Sequence, residues 1–194
     1  LLACTAWIIP ENFNNLPIIY DSKKMSKINR KFIFNDAYNF SKYSISGTTV
    51  EEIEYFGING ANDLAMLRSI FCLVRYIEKK SNTNQNFIVC VDGKRKPQFE
   101  KFNKLYSKIK DKIKVKSFVK GDSKIISIAL SSILAKESRD TIMKRNHIIY
   151  PSYNFYKNVG YGTKEHRTQI EKFGITKLHR KNFKPINTIF SHKL

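Results

Sequence analysis

The feature that most constrains the fold is a run of five apolar residues at positions 87–91 (FIVCV), which ends at Asp92-Gly93. A strand in which every residue is apolar is typical of a sheet that helices cover on both faces. The clearest helical pattern precedes this strand, at residues 62–80. Its apolar stripe consists of Leu64, Leu67, Phe71, Val74 and Ile77. Because strand and helix patterns also alternate along the rest of the chain, we predict an α/β protein.

Shorter patterns predict the remaining elements. Strands are expected at residues 2–9, 43–50 and 113–119. Helices are expected at residues 26–40, 51–56, 94–112 and 123–146. Ser26 is the expected N-cap of the first of these helices, and Gly57 is expected to end the second. The basic and aromatic segment 94–112 is expected on the surface, and short helices and loops are expected after Tyr150-Pro151.

Length and composition restrict the class of protein. The 194 residues suit one domain, with an α/β core at 1–149 and a helical C-terminal segment at 150–194. Apolar residues make up 42% of the chain, which excludes a disordered tail. No apolar stretch approaches the roughly 20 residues of a membrane span. We therefore expect no membrane partner. The sequence leaves the oligomeric state open, and a monomer is our expectation.

Charge and cysteine content indicate the kind of partner and the compartment. The formal net charge of +19 favours a polyanionic partner, nucleic acid first and an acidic membrane surface second. An AT-rich genome would also raise the Lys content, so the charge by itself leaves both explanations open. Cys4, Cys72 and Cys90 form no C-x-x-C pair, which favours buried thiols in the reducing cytoplasm over a zinc knuckle or a disulfide framework.

Two carboxylates are candidates for chemistry. Asp92 follows the apolar strand, at the strand end where ligands bind in open α/β sheets, although Asp-Gly is also an ordinary turn. Asp140 lies fourteen residues after Ile126 and seven after Ile133, on the apolar face of the long predicted helix. It either needs a metal or a partner there, or turns to solvent and pairs with Lys136 or Arg139. Together, Asp92 and Asp140 could hold a divalent cation such as Mg²⁺. Glu137 is expected to face solvent.

Two further stretches suit contacts with nucleic acid. Residues 21–24 (DSKK) offer a hydroxyl and two ammonium groups to phosphates, although they would also fit a solvated helix boundary. In residues 160–166 (GYGTKEH), two glycines flank Tyr161, which lets the backbone approach a ligand and presents the ring for stacking. A glycine-rich turn with a packed tyrosine is the alternative for this second stretch.

In this order, these segments resemble the ribonuclease HII family, also called type 2 ribonuclease H. The segments that carry the resemblance are 21–24, 91–93, 120–122, 127–140 (SIALSSILAKESRD), 150–153, 160–163 with His166, and His179-Arg180 with Phe183. They cover nearly the whole chain. The helix that ends in Arg139-Asp140 and the Gly-Tyr-Gly-Thr-x-x-His segment are the most specific of them.

The resemblance implies a ribonuclease H-like mixed sheet flanked by helices. It implies an enzyme that cleaves RNA in RNA–DNA hybrids and also cleaves at single ribonucleotides embedded in duplex DNA. It further implies that the active site binds Mn²⁺ or Mg²⁺ through four acidic residues. Asp92 and Asp140 match the third and fourth of these. Tyr161 matches the tyrosine that stacks on the sugar at the RNA–DNA junction. The other positions expected to contact nucleic acid are Ser22, Lys23, Lys24, Lys120 and His166.

The chain also departs from the family pattern. The family's first strand ends in a Gly-Ile-Asp-Glu-Ala-Gly-Arg-Gly-like segment with the first two acidic residues, and this segment would fall before Leu1. The resemblance therefore implies little or no cleavage by the 194 residues as they stand. The alternatives are an incomplete record of a metal-dependent nuclease and a catalytically inactive, hybrid-binding remnant. A basic protein of a ribonucleoprotein particle would explain the charge but not the two carboxylates.

Overall fold

The computed structural model describes residues 1–22, 24–81, 85–184 and 186–191. The strands are β1 (Leu2–Ile8), β2 (Ser41–Gly47), β3 (Phe87–Asp92) and β4 (Ile113–Phe118). The α-helices are α1 (Lys27–Phe40), α2 (Val50–Ser81), α3 (Asn103–Tyr106), α4 (Ile126–Ile149), α5 (Phe155–Asn158), α6 (Lys164–Phe173) and α7 (Ile186–Ser191). Short 3-10 helices lie at Pro10–Asn15, Phe99–Phe102, Lys110–Lys112, Gly121–Ser123 and Pro151–Tyr153. The predicted α/β class is confirmed.

The four strands form two separate ladders. β1 runs antiparallel to β2, with Leu2 opposite Gly47 and Ile8 opposite Ser41. β3 runs parallel to β4, with Phe87 opposite Ile113 and Asp92 opposite Phe118. Both kinds of pairing in the predicted mixed sheet are present, but within the described residues no strand joins β1 to β3.

The chain forms two compact units. The first unit comprises Leu1–Thr48 and Asn59–Glu137, and the second comprises Thr49–Ile58 and Ser138–Leu194. The second unit has its own small core, built from Tyr153, Phe155, Ile170 and Ile186. Among the described residues, no helix has the length and apolar character needed to cross a membrane.

One core cluster of the first unit joins α1 to α4. Its most buried members are Ile33, Ala37, Leu130, Ile133 and Leu134. At its edge, Arg30 Nε donates to Glu137 Oε1 over 3.0 Å, and both side chains are largely buried. The prediction that Glu137 faces solvent is wrong, because a cation on a distant helix pairs with its carboxylate.

The second cluster covers one side of the β3–β4 ladder. It contains Leu67 and Ile70 of α2, Val89 of β3, and Phe99 and Ile109 from the segment between β3 and β4. Residues 94–112 were expected to form a surface helix, and this prediction is wrong. The segment instead breaks into short helical pieces, because Phe99 and Ile109 must both reach the core, where they are 2% and 1% exposed.

Local signals at helix ends agree with the structure. The Ser26 side chain accepts a hydrogen bond from the Asn29 backbone N–H over 3.2 Å, as an N-cap does. At Gly57 the backbone has φ 70° and ψ 169°, and this residue interrupts α2 between residues 51–56 and the longer stretch that follows. A non-glycine residue rarely adopts that conformation, so the predicted break is confirmed. On α1, Ile28 is 81% exposed and Ile33 is 2% exposed, so the buried face of this helix passes through Ile33.

The core of the first unit gives a stability prediction. Ile133→Ala should lower the free energy of unfolding by about 2–5 kcal/mol, because Ile133 is fully buried and its removal leaves a cavity. Ile28→Ala, which truncates the same side chain at an exposed position of α1, should change it by less than about 0.5 kcal/mol. Urea unfolding of both variants at equal m-value measures the difference. Equal losses in the two variants would contradict this account of the core.

Candidate nucleic-acid and metal site

Asp92 is held at the end of β3 by the backbone that follows β4. Its Oδ1 accepts a hydrogen bond from the Gly121 N–H over 2.8 Å. A Cβ at Gly121 would lie 3.3 Å from this oxygen and 2.7 Å from Ile128 Cδ1, so any larger residue would require the Ile128 side chain and the Asp92 carboxylate to shift. The side chain of Asp92 is exposed. Asp92 is therefore a fixed, accessible carboxylate at the strand end rather than only a turn residue.

Lys120 immediately precedes that glycine. Its backbone is in the left-handed region, with φ 54° and ψ 48°, a conformation that costs a non-glycine residue free energy. The Ser123 hydroxyl donates to the Lys120 carbonyl over 2.9 Å and fixes the turn. The Lys120 side chain is exposed, so an ammonium group stands beside the segment that holds Asp92.

The predicted phosphate-binding stretch at residues 21–24 is only partly at the surface. Ser22 is 1% exposed, and its hydroxyl shares a hydrogen bond of 2.9 Å with the Ser132 hydroxyl. The geometry therefore gives Ser22 a structural role, in linking its loop to α4. Lys24 is exposed, and Lys23 lies outside the described residues. Contact of these residues with nucleic acid stays a prediction.

In the second unit, Arg139 lies between a carboxylate and an aromatic ring. Its guanidinium carbon stands 4.7 Å from the centroid of the Tyr161 ring. One of its nitrogens, Nη1, lies 3.9 Å from Asp140 Oδ1. The Asp140 side chain is 17% exposed, so it is partly buried and still accessible to solvent. The expected pairing of Asp140 with Arg139 is present, and it brings Asp140 and Tyr161 to one cation.

The loop around Tyr161 presents the ring outward. Tyr161 is 59% exposed, which leaves its ring available for stacking. Gly160 has φ 79°, and a Cβ there would come within 2.9 Å of Met143 Cε. After the loop, the Thr163 side chain caps α6 by accepting from the His166 N–H over 3.2 Å. The alternative of a packed tyrosine in a glycine-rich turn does not describe this exposed ring.

Below the loop, two buried histidines support the Tyr161 backbone. The Thr176 N–H donates to His179 Nδ1 over 2.9 Å, so this nitrogen carries no proton. His179 Nε2 must then be protonated and donates to His166 Nε2 over 3.2 Å. His166 consequently carries its own proton on Nδ1 and donates it to the Tyr161 carbonyl over 2.9 Å. The hydrogen-bond partners thus assign both tautomers, with both imidazoles neutral.

The neutrality of this pair has a clear physical cause. Burial, and next the neighbouring His166, lower the pKa of His179 from 6.5 to about 4. An added proton on His179 Nδ1 or on His166 Nε2 would remove an acceptor that the chain of hydrogen bonds requires. His166 is 5% exposed, so its role in this geometry is to position Tyr161. Its predicted direct contact with nucleic acid stays a prediction.

The candidate residues belong to both units of the chain. In the first unit, Asp92 and Lys120 share the Gly121 segment. In the second unit, Asp140, Tyr161 and His166 share one cluster through Arg139 and the Tyr161 backbone. Within the part of the chain that the structure describes, no three His, Cys, Asp or Glu side chains gather so that they could hold a metal ion. Joint metal binding by Asp92 and Asp140 stays a prediction.

Sequence reasoning missed the supporting roles of Arg139 and His179. The sequence indicates Arg139 only as a partner of Asp140, because helical spacing carries no information about its contact with Tyr161. For His179, the signal in the sequence is that it lies in a segment that resembles the family. Arg180, beside it, stacks on Phe183 with its guanidinium carbon 4.0 Å from the ring centroid. Burial, and next Arg139, lower the pKa of Arg180, so a second cation faces the same cluster.

The strands and helices define an α/β fold, and comparison with solved structures agrees with this fold. The fold is similar to that of ribonuclease H2 from Pyrococcus horikoshii OT3, with a TM-score of 0.68. The match covers 99% of this chain and 98% of that one, at 14% sequence identity. At this identity the match establishes the fold alone.

Sequence comparison identifies the family. The sequence profile of ribonuclease HII matches residues 1–186. The ribonuclease HII of Wolbachia pipientis subsp. Culex pipiens (strain wPip) is 40% identical over 171 residues, which are 88% of this chain and 76% of the relative. The ribonuclease HII of Christiangramia forsetii is 36% identical over 184 residues, 94% of this chain and 82% of the relative. The chain belongs to the ribonuclease HII family, whose members are nucleases of the ribonuclease H type.

The histidine pair gives a prediction about pH. Because the pKa of His179 is lower in the folded than in the unfolded state, its contribution to stability is complete above pH 6.5 and is lost as the pH falls to about 4. His179→Asn removes this titration, so its free energy of unfolding should depend less on pH across that range. Urea unfolding at a series of pH values measures both slopes.

Thr168→Asn is the control, since it places the same amide at an exposed position of the same unit and removes no titratable group. Its pH dependence should resemble that of the unmodified chain. A His179→Asn protein with an unchanged slope would contradict the assignment of a neutral pair.

Proposed function

We propose that the chain acts on RNA–DNA hybrids and on duplex DNA with single embedded ribonucleotides, and that it cleaves beside the ribonucleotide by metal-assisted hydrolysis. Membership of the ribonuclease HII family supports the reaction class. The net charge of +19 supports a duplex polyanion as the partner, since each phosphate contact releases counterions. We further propose that the protein works as a monomer in the cytoplasm.

The observation that carries this proposal is the position of Arg139 between Asp140 and Tyr161. One guanidinium lies over an exposed aromatic ring and beside a partly buried carboxylate. The ring offers a stacking surface for a sugar or base, and the carboxylate offers oxygens for a cation. A nuclease that recognises a ribonucleotide needs both functions within reach of one nucleotide.

The donor atoms of the two carboxylates fit a hard cation. Asp92 and Asp140 supply only oxygen ligands, which Mg²⁺ and Mn²⁺ prefer over nitrogen or sulfur. We propose that these two side chains would hold such an ion. When bound, the ion would lower the pKa of a water molecule and stabilise the negative charge of the leaving oxygen.

The chain's own residues would position the substrate. The Gly121 N–H orients the Asp92 carboxylate by holding one oxygen, Oδ1. The exposed side chains of Lys120 and Lys24 can contact phosphates of the duplex without reading its sequence. The Tyr161 ring, held from below through its own carbonyl by His166, would stack at the ribonucleotide.

The role of Asp92 gives a prediction with three readouts. Asp92→Asn should abolish Mn²⁺ binding at this position. In an active form of the protein it should also lower cleavage of a duplex with one ribonucleotide by at least about 100-fold, because charge stabilisation at the phosphate is lost. Affinity for the uncleaved hybrid should be retained or slightly increased, since one negative charge is removed. Titration calorimetry with Mn²⁺, single-turnover cleavage and fluorescence anisotropy measure the three quantities.

Asp111→Asn is the matched control, because Asp111 is an exposed carboxylate of the same unit. It should leave Mn²⁺ binding and cleavage unchanged. Loss of hybrid binding by Asp92→Asn with an intact fold would contradict the proposal, since it would make Asp92 a structural residue.

The stacking role of Tyr161 gives a second prediction. Tyr161→Ala should weaken binding to a duplex with one ribonucleotide by about 1–3 kcal/mol, the usual contribution of stacking on an aromatic ring. Tyr161→Phe keeps the ring and should bind as the unmodified chain does. Anisotropy titrations at fixed salt measure both affinities. An equal loss in the two variants would indicate that the hydroxyl, and not the ring, makes the contact.

A further inference from the structure

The backbone immediately before Tyr161 adopts a conformation that its sequence disfavours. Val159, which follows the last residue of α5, has φ 41° and ψ 37°, in the left-handed region. Helices often end in this conformation, but usually at glycine, because the Cβ of a branched residue crowds the following carbonyl there. Gly160 also has a positive φ, of 79°. These two residues turn the chain sharply into Tyr161, and contacts elsewhere must offset the cost at Val159.

The buried side chain of Asn158 supplies such contacts. It belongs to a residue that is 5% exposed. Its Oδ1 accepts from the Gly160 N–H over 2.8 Å, and its Nδ2 donates to the Tyr153 carbonyl over 2.7 Å. One donor and one acceptor as partners fix the orientation of the amide. The carbonyl of Asn158 also accepts from the Tyr161 N–H over 2.8 Å. One residue therefore holds both residues that follow Val159.

Tyr153 is a rigid anchor for this amide. It is 5% exposed and belongs to the core of the second unit. Its ring stacks on Phe155, with centroids 5.6 Å apart and planes 12° apart, and its hydroxyl donates to the Gly174 carbonyl over 2.9 Å. Because both ends of the Tyr153 side chain are fixed, the Asn158 amide and the Gly160 N–H bonded to it are fixed relative to the core.

The direction of the Tyr161 ring depends on the two peptide groups that flank its Cα. The later one is held by α6, through the hydrogen bond from His166 to the Tyr161 carbonyl. Arg167 Nε adds a bond of 3.0 Å to the Gly162 carbonyl, from an exposed residue. The earlier peptide group is the one held by Asn158. Fixing the later group alone would leave the direction in which the chain enters Tyr161 free.

We propose that Asn158 is a positioning residue for the stacking of Tyr161 on a ribonucleotide. It acts through the turn at Val159 and Gly160 and does not itself contact the substrate. The inference rests on the stacking role proposed above for Tyr161. A ring that is already aimed in the free protein avoids the entropy that an unfixed loop would lose on binding.

A double-mutant cycle tests this role. Asn158→Ala should weaken binding to a duplex with one ribonucleotide by about fivefold or more, though no more than Tyr161→Ala does, because the ring remains but is no longer fixed. The double variant should bind within about twofold of Tyr161→Ala, since no ring is left to position. Anisotropy titrations at one fixed salt concentration give all four affinities.

Two further variants separate positioning from stability. Ile186→Ala truncates a buried residue of the same core. It should lower the unfolding midpoint, as Asn158→Ala does, without weakening binding. Asn158→Ala/Val159→Gly removes the strain that the amide offsets, so it should recover part of the lost midpoint, by about 2–4 °C. Its affinity should stay as low as that of Asn158→Ala.

Hydrogen exchange of the unmodified chain keeps the inference testable even if Asn158→Ala does not fold. The Gly160 amide should exchange at least about tenfold more slowly than in an unstructured peptide, because its acceptor is a buried side chain. NMR resolves this single amide. Exchange at the rate of an unstructured peptide would overturn the proposal.

The affinities distinguish the possible failures. Unchanged binding by Asn158→Ala, or losses that add in the double variant, would make Asn158 a structural residue only, provided that Tyr161→Ala still weakens binding. An equal loss in Ile186→Ala would show that affinity follows stability and not the position of the ring. Unchanged binding by Tyr161→Ala would instead overturn the proposed stacking function, and this inference with it.

Discussion

The apolar packing of α4 is the constraint on which much of the molecule depends. Leu130, Ile133 and Leu134 are fully buried against α1 and its neighbours. At the end of this buried stretch, Glu137 of α4 pairs with Arg30 of α1. The apolar packing of the two helices thus also brings a carboxylate and a guanidinium together at the edge of the core. Asp140 lies further along α4 in the second unit, where Arg139 is its cationic neighbour.

In the second unit, the backbone of a loop holds an exposed aromatic ring in place. Because Tyr161 is 59% exposed, its position depends on hydrogen bonds to its backbone more than on packing of its side chain. The carbonyl of Tyr161 accepts from a buried imidazole, whose other nitrogen accepts from a second imidazole. This arrangement requires a neutral His179, and burial lowers the pKa of that imidazole. The pair holds the loop without placing a charge next to the site where a polyanion would bind.

Local features of the sequence predicted local features of the structure. The apolar run at 87–91, the Ser26 cap and the break at Gly57 each depend on a few adjacent residues, and all three are confirmed. The errors concern residues whose environment is set by distant parts of the chain. Glu137 pairs with Arg30, 107 residues away in sequence. A segment rich in lysine buries Phe99 and Ile109, because the β3–β4 ladder needs a cover on that side. Periodicity within one segment cannot report such contacts.

The distribution of charge separates the interior of the first unit from its surface. β1 (LACTAWI) and β3 (FIVCVD) contain no Lys or Arg, whereas β2 carries Lys42 and β4 carries Lys114 and Lys116. A basic residue in place of the buried Val89 or Val91 would lie next to apolar side chains, at a high desolvation cost. Lys24 and Lys120 instead extend from exposed loops. The sorting of charge therefore keeps the cations at the surface, which is where a polyanion would have to bind.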